Sequence, residues 1–255
     1  MATFDAQHRQ HAYAVRLEWG PVGAEAIGAV DIAVVVDVLS FTTTLTVAVE
    51  RGIEVFPFVW GDDRAAAYAR EHDAVLAVQR RDAAPGEPSL SPASLRDVED
   101  CRRLVLPSPN GSTISSLLSG SGATVVGASL RNRLAVADWL APRRADGATI
   151  AFIPSGERWP DGTLRPAVED LWGAGAVLAG LERAGLDPDD LSPEASMARD
   201  AFRAADLPNA LHACASGREL TGKGYADDVV LAAQMDTASV VPLLRGRSFR
   251  AATDR

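Results

Sequence analysis

Four stretches of this chain combine acids, hydroxyls and glycine in ways that suit chemistry on an oxyanion. In "VVVDVLSFTTT" (34–44) an aspartate, Asp37, ends an apolar run, and Ser40, Thr42, Thr43 and Thr44 crowd behind it. Asp37 could hold a metal ion or attack phosphorus as a nucleophile, and the sequence does not separate the two roles. A helix starting near Ser40 would aim free N–H groups and a positive dipole end at an anion, with the hydroxyls adding hydrogen bonds. In "LVLPSPNGSTISSLL" (104–118) Asn110-Gly111 turns the chain into a second such start, with Ser112 and Thr113 behind it. Gly111 would let backbone N–H groups approach a ligand closely, and Asn110 could bond a phosphate oxygen or a metal-bound water. "ATIAFIPSGERW" (148–159) puts Glu157 past a strand end, and "PAVEDLWGAGA" (166–176) puts Glu169 and Asp170 in a first helical turn. A hard cation such as Mg²⁺ needs a few carboxylate oxygens beside a phosphate, which makes Asp37, Glu169 and Asp170 the expected metal set. Each stretch alone also reads as an ordinary turn, N-cap or dipole-complementing acid. Two hydroxyl-rich helix starts in one sheet weigh more than either alone.

The elements that must position these residues alternate along most of the chain. "YAVRLEW" (13–19) alternates like a half-exposed strand, and "DIAVVVDV" (31–38) reads as a fully buried one. Further strands are expected at 53–60, where Pro57 suggests an edge or a bend, and at 74–79, 103–107, 123–128 and 148–154. Helical patterns follow at 40–52, 62–73, 110–120, 129–142 and 167–185, then over 192–222 and 225–235, before a last short strand near "SVVPLL". This alternation predicts an α/β fold, a three-layer α/β/α sandwich around a largely parallel or mixed central sheet. One domain over 1–255 is expected, with 1–12 a flexible arm and 246–255 a tail. The longest irregular stretch, "RRDAAPGEPSLSPASLRD" (80–97), reads as a disordered loop or as a mobile flap over a site.

Composition removes several function classes. The net charge of −9 and the lack of a Lys/Arg-rich block argue against nucleic acid or an anionic membrane as partner. No apolar run approaches the roughly 20 residues that span a bilayer. The first residues carry no apolar signal core, so the cytoplasm is the expected compartment, and Cys101 and Cys214 are expected to be reduced. There is no HExxH, CxxC or GxSxG pattern, and "GKG" at 222–224 lacks the spacing of a P-loop. Asp227 and Asp228, just beyond it, read as helix-capping or outer-shell charge. A homodimer is the base-rate assembly.

In order along the chain, "VVVDVLSFTTTLTVAVERGIEVFPF", "LPSPNGSTISSLL", "VVGASLRNRLAVADWL", "PAVEDLWGAGAVLAGL" and "GKGYADDVVLAAQMDTASVVPLL" resemble the 2-phosphosulfolactate phosphatase (ComB-like) family over roughly residues 13 to 245. The resemblance implies a three-layer α/β fold and Mg²⁺-dependent hydrolysis of 2-phospho-3-sulfolactate to 3-sulfolactate and phosphate, a reaction of coenzyme M synthesis. Asp37, Asn110 and Glu157 become the expected catalytic residues. Ser40, Thr42, Thr43, Thr44, Gly111, Ser112, Thr113, Arg131 and Arg158 become the expected substrate contacts, with Arg133 and Arg165 as further cations for its carboxylate or sulfonate. Ser40 stands where the family usually has an arginine, a bidentate oxyanion clamp that serine cannot replace. The segment "AVQRRDAAPGEPSLSPASL" departs from the family's glycine-rich pattern, so either Arg80 or Arg81 compensates or the substrate differs. Two alternatives stay open, a phosphatase for another small phosphorylated hydroxy acid and a member that binds an anionic metabolite without hydrolysing it.

Overall fold

The apolar run before Asp37 becomes strand β2 (Ile32–Val36), every residue of which is buried. It has parallel partners on both sides, which is why it carries no polar residue at alternate positions. The computed structural model describes residues 4–59, 64–96 and 98–253. Parts of the expected arm (1–3), third strand (60), following helix (62–63), irregular stretch (97) and tail (254–255) lie outside the described residues.

Before β2 come β1 (Val15–Leu17) and helix α1 (Gly20–Ala26). After it come α2 (Phe41–Glu50), β3 (Glu54–Val59), α3 (Ala65–Glu71), β4 (Val75–Leu76), β5 (Arg103–Ser108) and α4 (Gly111–Leu118). The middle of the chain supplies β6 (Thr124–Ala128), α5 (Arg133–Ala145), β7 (Ile150–Pro154), the short strands β8 (Glu157–Arg158) and β9 (Leu164–Arg165), and α6 (Val168–Arg183). It closes with α7 (Pro193–Ala204), α8 (Asn209–Ala213), α9 (Ala215–Gly222), α10 (Ala226–Ala232), β10 (Pro242–Arg245) and β11 (Ser248–Ala251).

Nine strands form one sheet in the order β1-β7-β2-β6-β10-β11-β3-β5-β4, while β8 and β9 pair separately. The first four are mutually parallel, as are the last three. The β10–β11 hairpin joins the two blocks by antiparallel pairs on each side, so the blocks run in opposite directions. The α/β class and the mixed sheet flanked by helices agree with the sequence. Alternate residues of β2 serve different cores, as a period of two requires. Val34 and Val36 pack with Leu140 of α5 and Val177 of α6, whereas Ala33 and Val35 share a core with Leu45 of α2 and Ile114 of α4. Val55, Leu104 and Phe249 from the other block belong to that second core, so both blocks close on α2 and α4.

The structure corrects several expectations. Pro57 lies in an interior strand, yet β11 pairs with β3 only at Phe249–Val55, so no ladder donor is missing at the proline. Within the expected tail, Ser248–Ala251 is a sheet strand, and Phe249 meets the ring of Phe41 edge-on at 6.4 Å between centroids. The expected arm includes a turn at Ala6–Arg9 and a buried Gln10, whose Nε2 donates to the Leu17 carbonyl at 2.9 Å. The 80–96 stretch packs against α2: Leu90 and Leu95 accept hydrogen bonds from Thr44 Oγ1 (2.7 Å) and Arg51 Nη1 (2.5 Å). The "GAGA" run does allow close helix packing, since a Cβ on Gly175 would lie 2.0 Å from the Ala198 carbonyl oxygen of α7.

Candidate active site

Asp37 follows β2 directly, and its carboxylate is held from two directions. Oδ1 accepts the Phe41 N–H at 3.1 Å and Oδ2 the Gly111 N–H at 2.9 Å. Phe41 and Gly111 open α2 and α4, whose first N–H groups have no partner within their helices. The two hydroxyl-rich starts therefore do meet, and the group they cradle is the protein's own carboxylate. Burial pushes this acid up to about 6, against the opposing pull of the two N–H groups and the Arg80 charge; Glu169 adds to the rise.

Three more acids gather around it. Glu157 accepts from Asn110 Nδ2 at 3.0 Å, and burial, then the Asp37 charge, push its acid up to about 7. Asp170 is buried and accepts the Val38 N–H at 2.7 Å and the Gly156 N–H at 2.9 Å, tying the exits of β2 and β7 to the start of α6. Its acid is raised well above the ordinary range by burial, then by Asp37 and Glu169. Glu169 is buried beside Cys214, whose thiol is pushed up to about 12 by burial and by that neighbouring charge. Cys101 and Cys214 are both free.

Most of the expected hydroxyl contacts are committed elsewhere. Thr42 Oγ1 donates to the Asp37 carbonyl (2.8 Å), Thr43 Oγ1 to Val38 (2.7 Å) and Thr44 Oγ1 to Leu90 (2.7 Å). Ser112 Oγ donates to the Leu106 carbonyl (2.7 Å) and Thr113 Oγ1 to Ser108 (3.3 Å). A hydroxyl has one proton, so four of these lock the helix starts onto the strand ends, Thr44 holds the 80–96 stretch, and none has a donor left for a ligand. Arg131 is likewise committed, to Gln234 Oε1 (2.5 Å) and to Glu50 (3.5 Å) at the far end of α2, and Arg133 pairs with Asp236 at 2.7 Å. Arg158 does reach the rim, donating to the Pro109 carbonyl at 3.4 Å. Arg165 donates to Ser216 Oγ at 3.3 Å, and its charge opposes the rise of the Glu157 acid.

Both arginines expected to compensate for Ser40 line the cavity beside it, but only Arg80 bonds Ser40. Arg80 Nη2 donates to Ser40 Oγ at 2.5 Å, and its Nε pairs with Asp228 at 3.0 Å. Arg81 is exposed and pairs with Asp82. A cavity of about 410 Å³ opens here, lined by Leu39, Arg80, Glu157, Ser216, Lys223 and Tyr225 among others.

The cavity brings Glu157 together with the cations Arg80, Arg81 and Lys223. The model of the 2-phosphosulpholactate phosphatase family matches residues 23–247. The chain belongs to that family. A probable 2-phosphosulfolactate phosphatase of Thermus thermophilus is 28% identical over 237 residues, covering 91% of this chain and 96% of its own. Another, from Symbiobacterium thermophilum, is 29% identical over 223 residues, covering 83% of this chain and 90% of its own.

For this member of the family, the donor set fits a hard cation in charge. Asp37, Glu157, Glu169 and Asp170 all act on one another as like charges. Among the described residues, however, no three His, Cys, Asp or Glu side chains are grouped as a closed metal cage. Mg²⁺ is commonly held by one or two carboxylates with water and substrate oxygens, a mode this arrangement accommodates. Both oxygens of Asp170 and both of Asp37 already accept backbone N–H groups, and each oxygen keeps a further lone pair with which a cation could be met. Among the described residues no helix is long and apolar enough to cross a membrane.

Sequence reasoning underrated Arg80 and Asp228. They stand 148 residues apart and only the fold joins them. Asp228 carried one local signal, a first-turn aspartate behind "GKGY".

Proposed function

We propose that the chain is a phosphoric monoester hydrolase that uses Mg²⁺ to hydrolyse 2-phospho-3-sulfolactate to 3-sulfolactate and phosphate. The observation that carries this reading is the meeting of Asp37, fixed by the first N–H groups of two helices, with Glu157, whose acid sits at about 7 beside a cavity bearing cations. Water attacks phosphorus, the ester P–O bond breaks, and the departing alkoxide must take up a proton while the water gives one up. Glu157 moves that proton, being populated in both forms near neutrality. Asn110 Nδ2 occupies its Oε2 and leaves Oε1 for the reacting oxygen. Asp37 and Glu169 would hold the cation, which when bound offsets charge on the transferring phosphoryl group. In this reading Asp37 serves as a ligand and not as the nucleophile, each of its oxygens being fixed in place by an N–H donor. Free-phosphate release from a panel of esters, with and without Mg²⁺, tests the reading. Release from 2-phospho-3-sulfolactate that chelation abolishes is expected. No release from any ester, with anion binding retained, would make the chain a metabolite-binding module instead.

A further inference from the structure

Arg80 is held as a recognition group is held. A guanidinium carries five N–H donors. Nε donates to Asp228 Oδ2 at 3.0 Å, and Nη2 donates to Ser40 Oγ at 2.5 Å and to the Leu90 carbonyl at 3.3 Å. The two donors on Nη1 have no acceptor among the described residues, and the side chain lines the cavity. Tyr225 lies beneath the guanidinium, 5.9 Å from its carbon to the ring centroid. The other cavity cations are looser: Lys223 is exposed and paired with Glu219, and Arg81 is exposed and paired with Asp82.

Asp228 explains how a loop arginine can be so fixed. It is 1% exposed, and its Oδ1 accepts from Ser91 Oγ and from the Ala93 N–H at 3.3 Å, while Oδ2 takes Arg80. One carboxylate on α10 thus ties down both ends of the 80–93 segment.

We infer that Arg80 recognises a second anionic group on the phosphate ester, a sulfonate or a carboxylate, and that Asp228 is its positioning residue. The inference rests on the phosphatase reading above. Electrostatics sets the direction: the negative charge of Asp37, Glu157 and Glu169 repels a second anion, and the unfilled Nη1 donors of Arg80, beside Glu157 in the cavity lining, attract it. The two Nη1 donors lie in a guanidinium plane that the other three hold fixed, a preorganisation that a lysine ammonium on its flexible stem lacks.

The test measures phosphate release from four esters: 2-phospho-3-sulfolactate, 2-phospholactate, the phosphate ester of 2-hydroxyethanesulfonate, and isopropyl phosphate, which has no second anion. Arg80→Gln should raise KM for the anionic esters by about 10- to 100-fold, the usual worth of a hydrogen bond to a charged group, with kcat changing far less. Its loss on isopropyl phosphate should be at least about tenfold smaller. The sulfonate-only and carboxylate-only esters show which group Arg80 reads. Asp228→Asn should shift KM in the same direction, and the double variant should be little worse than Arg80→Gln, because the two act as one unit. Should Arg80→Gln fail to fold by thermal melting, Arg80→Lys takes its place, with a smaller rise in KM expected. Equal losses on all four esters, or an unchanged KM for the anionic ones, would overturn the inference. If the wild type releases phosphate from no ester, calorimetric binding of 3-sulfolactate decides separately: weaker binding by Arg80→Gln upholds the anion site without the phosphatase, and equal or absent binding ends it.

Discussion

The N–H of Gly111 donates to Asp37 Oδ2 at 2.9 Å, joining residues 74 positions apart in the chain. The contact fastens the exit of β5 to the exit of β2, although the two strands belong to blocks that run in opposite directions. It needs close approach. A Cβ at position 111 would stand 2.9 Å from that carboxylate oxygen and 2.4 Å from the Phe41 ring.

Gly111→Ala should therefore push α4 away from α2. The overpacking should cost about 1–3 kcal/mol, seen as a lowered melting temperature, and phosphate release should fall with it because Asp37 loses a donor. An alanine variant with unchanged melting and turnover would show that the two helix starts can part without consequence.

Asp37→Asn keeps the shape but puts an amide where two N–H donors converge. One carboxylate oxygen becomes an NH₂ facing an N–H, so a buried donor loses its acceptor, at a cost of about 1–3 kcal/mol. Turnover should fall further, by about 10²- to 10³-fold, as when one preorganised group at a developing charge is removed. Near-normal phosphate release from a folded Asp37→Asn protein would remove Asp37 from the chemistry.

The part of this site that could be read from sequence is the part built by local rules. The apolar run ending in Asp37, the Asn110-Gly111 turn and the first-turn acids of α6 all announce themselves by type and spacing, and the fold places them together. The threonines misled because a hydroxyl behind a helix start serves a ligand or a backbone carbonyl equally well in sequence. Burial decides, and Thr42 and Thr43 are fully buried. Arg131, an expected substrate contact, is claimed instead by Gln234, Glu50 and the Leu231 carbonyl. Nothing near Arg80 foretells Asp228, since that pairing exists through tertiary packing alone. Strand β11 was hidden because "SFRA" is short and lies at the chain's end, where only the gap between β10 and β3 gives it partners.

The raised acids make stability depend on pH in a definite sense. Asp37 titrates at about 6 and Glu157 at about 7, each above its ordinary value of 3.8 or 4.5. A group with a raised folded pKa holds its proton longer in the folded chain, so its stabilisation is complete below the unfolded value and is lost as pH rises through the folded one. In chelator, melting temperature should fall between about pH 5 and about pH 8. Glu157→Gln removes one of the two groups and should flatten that fall. It should also cut turnover by about 10²- to 10⁴-fold, the span of general acid–base catalysis, and erase the limb of the pH–rate profile near 7. A melting temperature that climbs with pH over this window would contradict the burial of both acids.

The same crowding of negative charge predicts how a divalent cation should act. Glu169 is buried with Asp37, Glu157 and Asp170 as like-charged neighbours, and its charge raises each of them. A bound cation relieves this repulsion in the folded chain only, so added Mg²⁺ should raise the melting temperature, and more so at about pH 8 than at about pH 5.5. Glu169→Gln takes away one negative charge while keeping the side chain's length. Without metal it should melt higher than the wild type, because the remaining acids repel less. With metal, its phosphate release should need about tenfold more Mg²⁺ or beyond to reach half-maximum, the scale of loss for a group that supports a metal. Melting curves across a Mg²⁺ series, run beside phosphate release over the same series, separate the two effects. If Glu169→Gln is stabilised without metal and yet keeps the wild-type Mg²⁺ requirement, the glutamate is only a neighbour of the cation and Asp37 holds it with water and substrate oxygens.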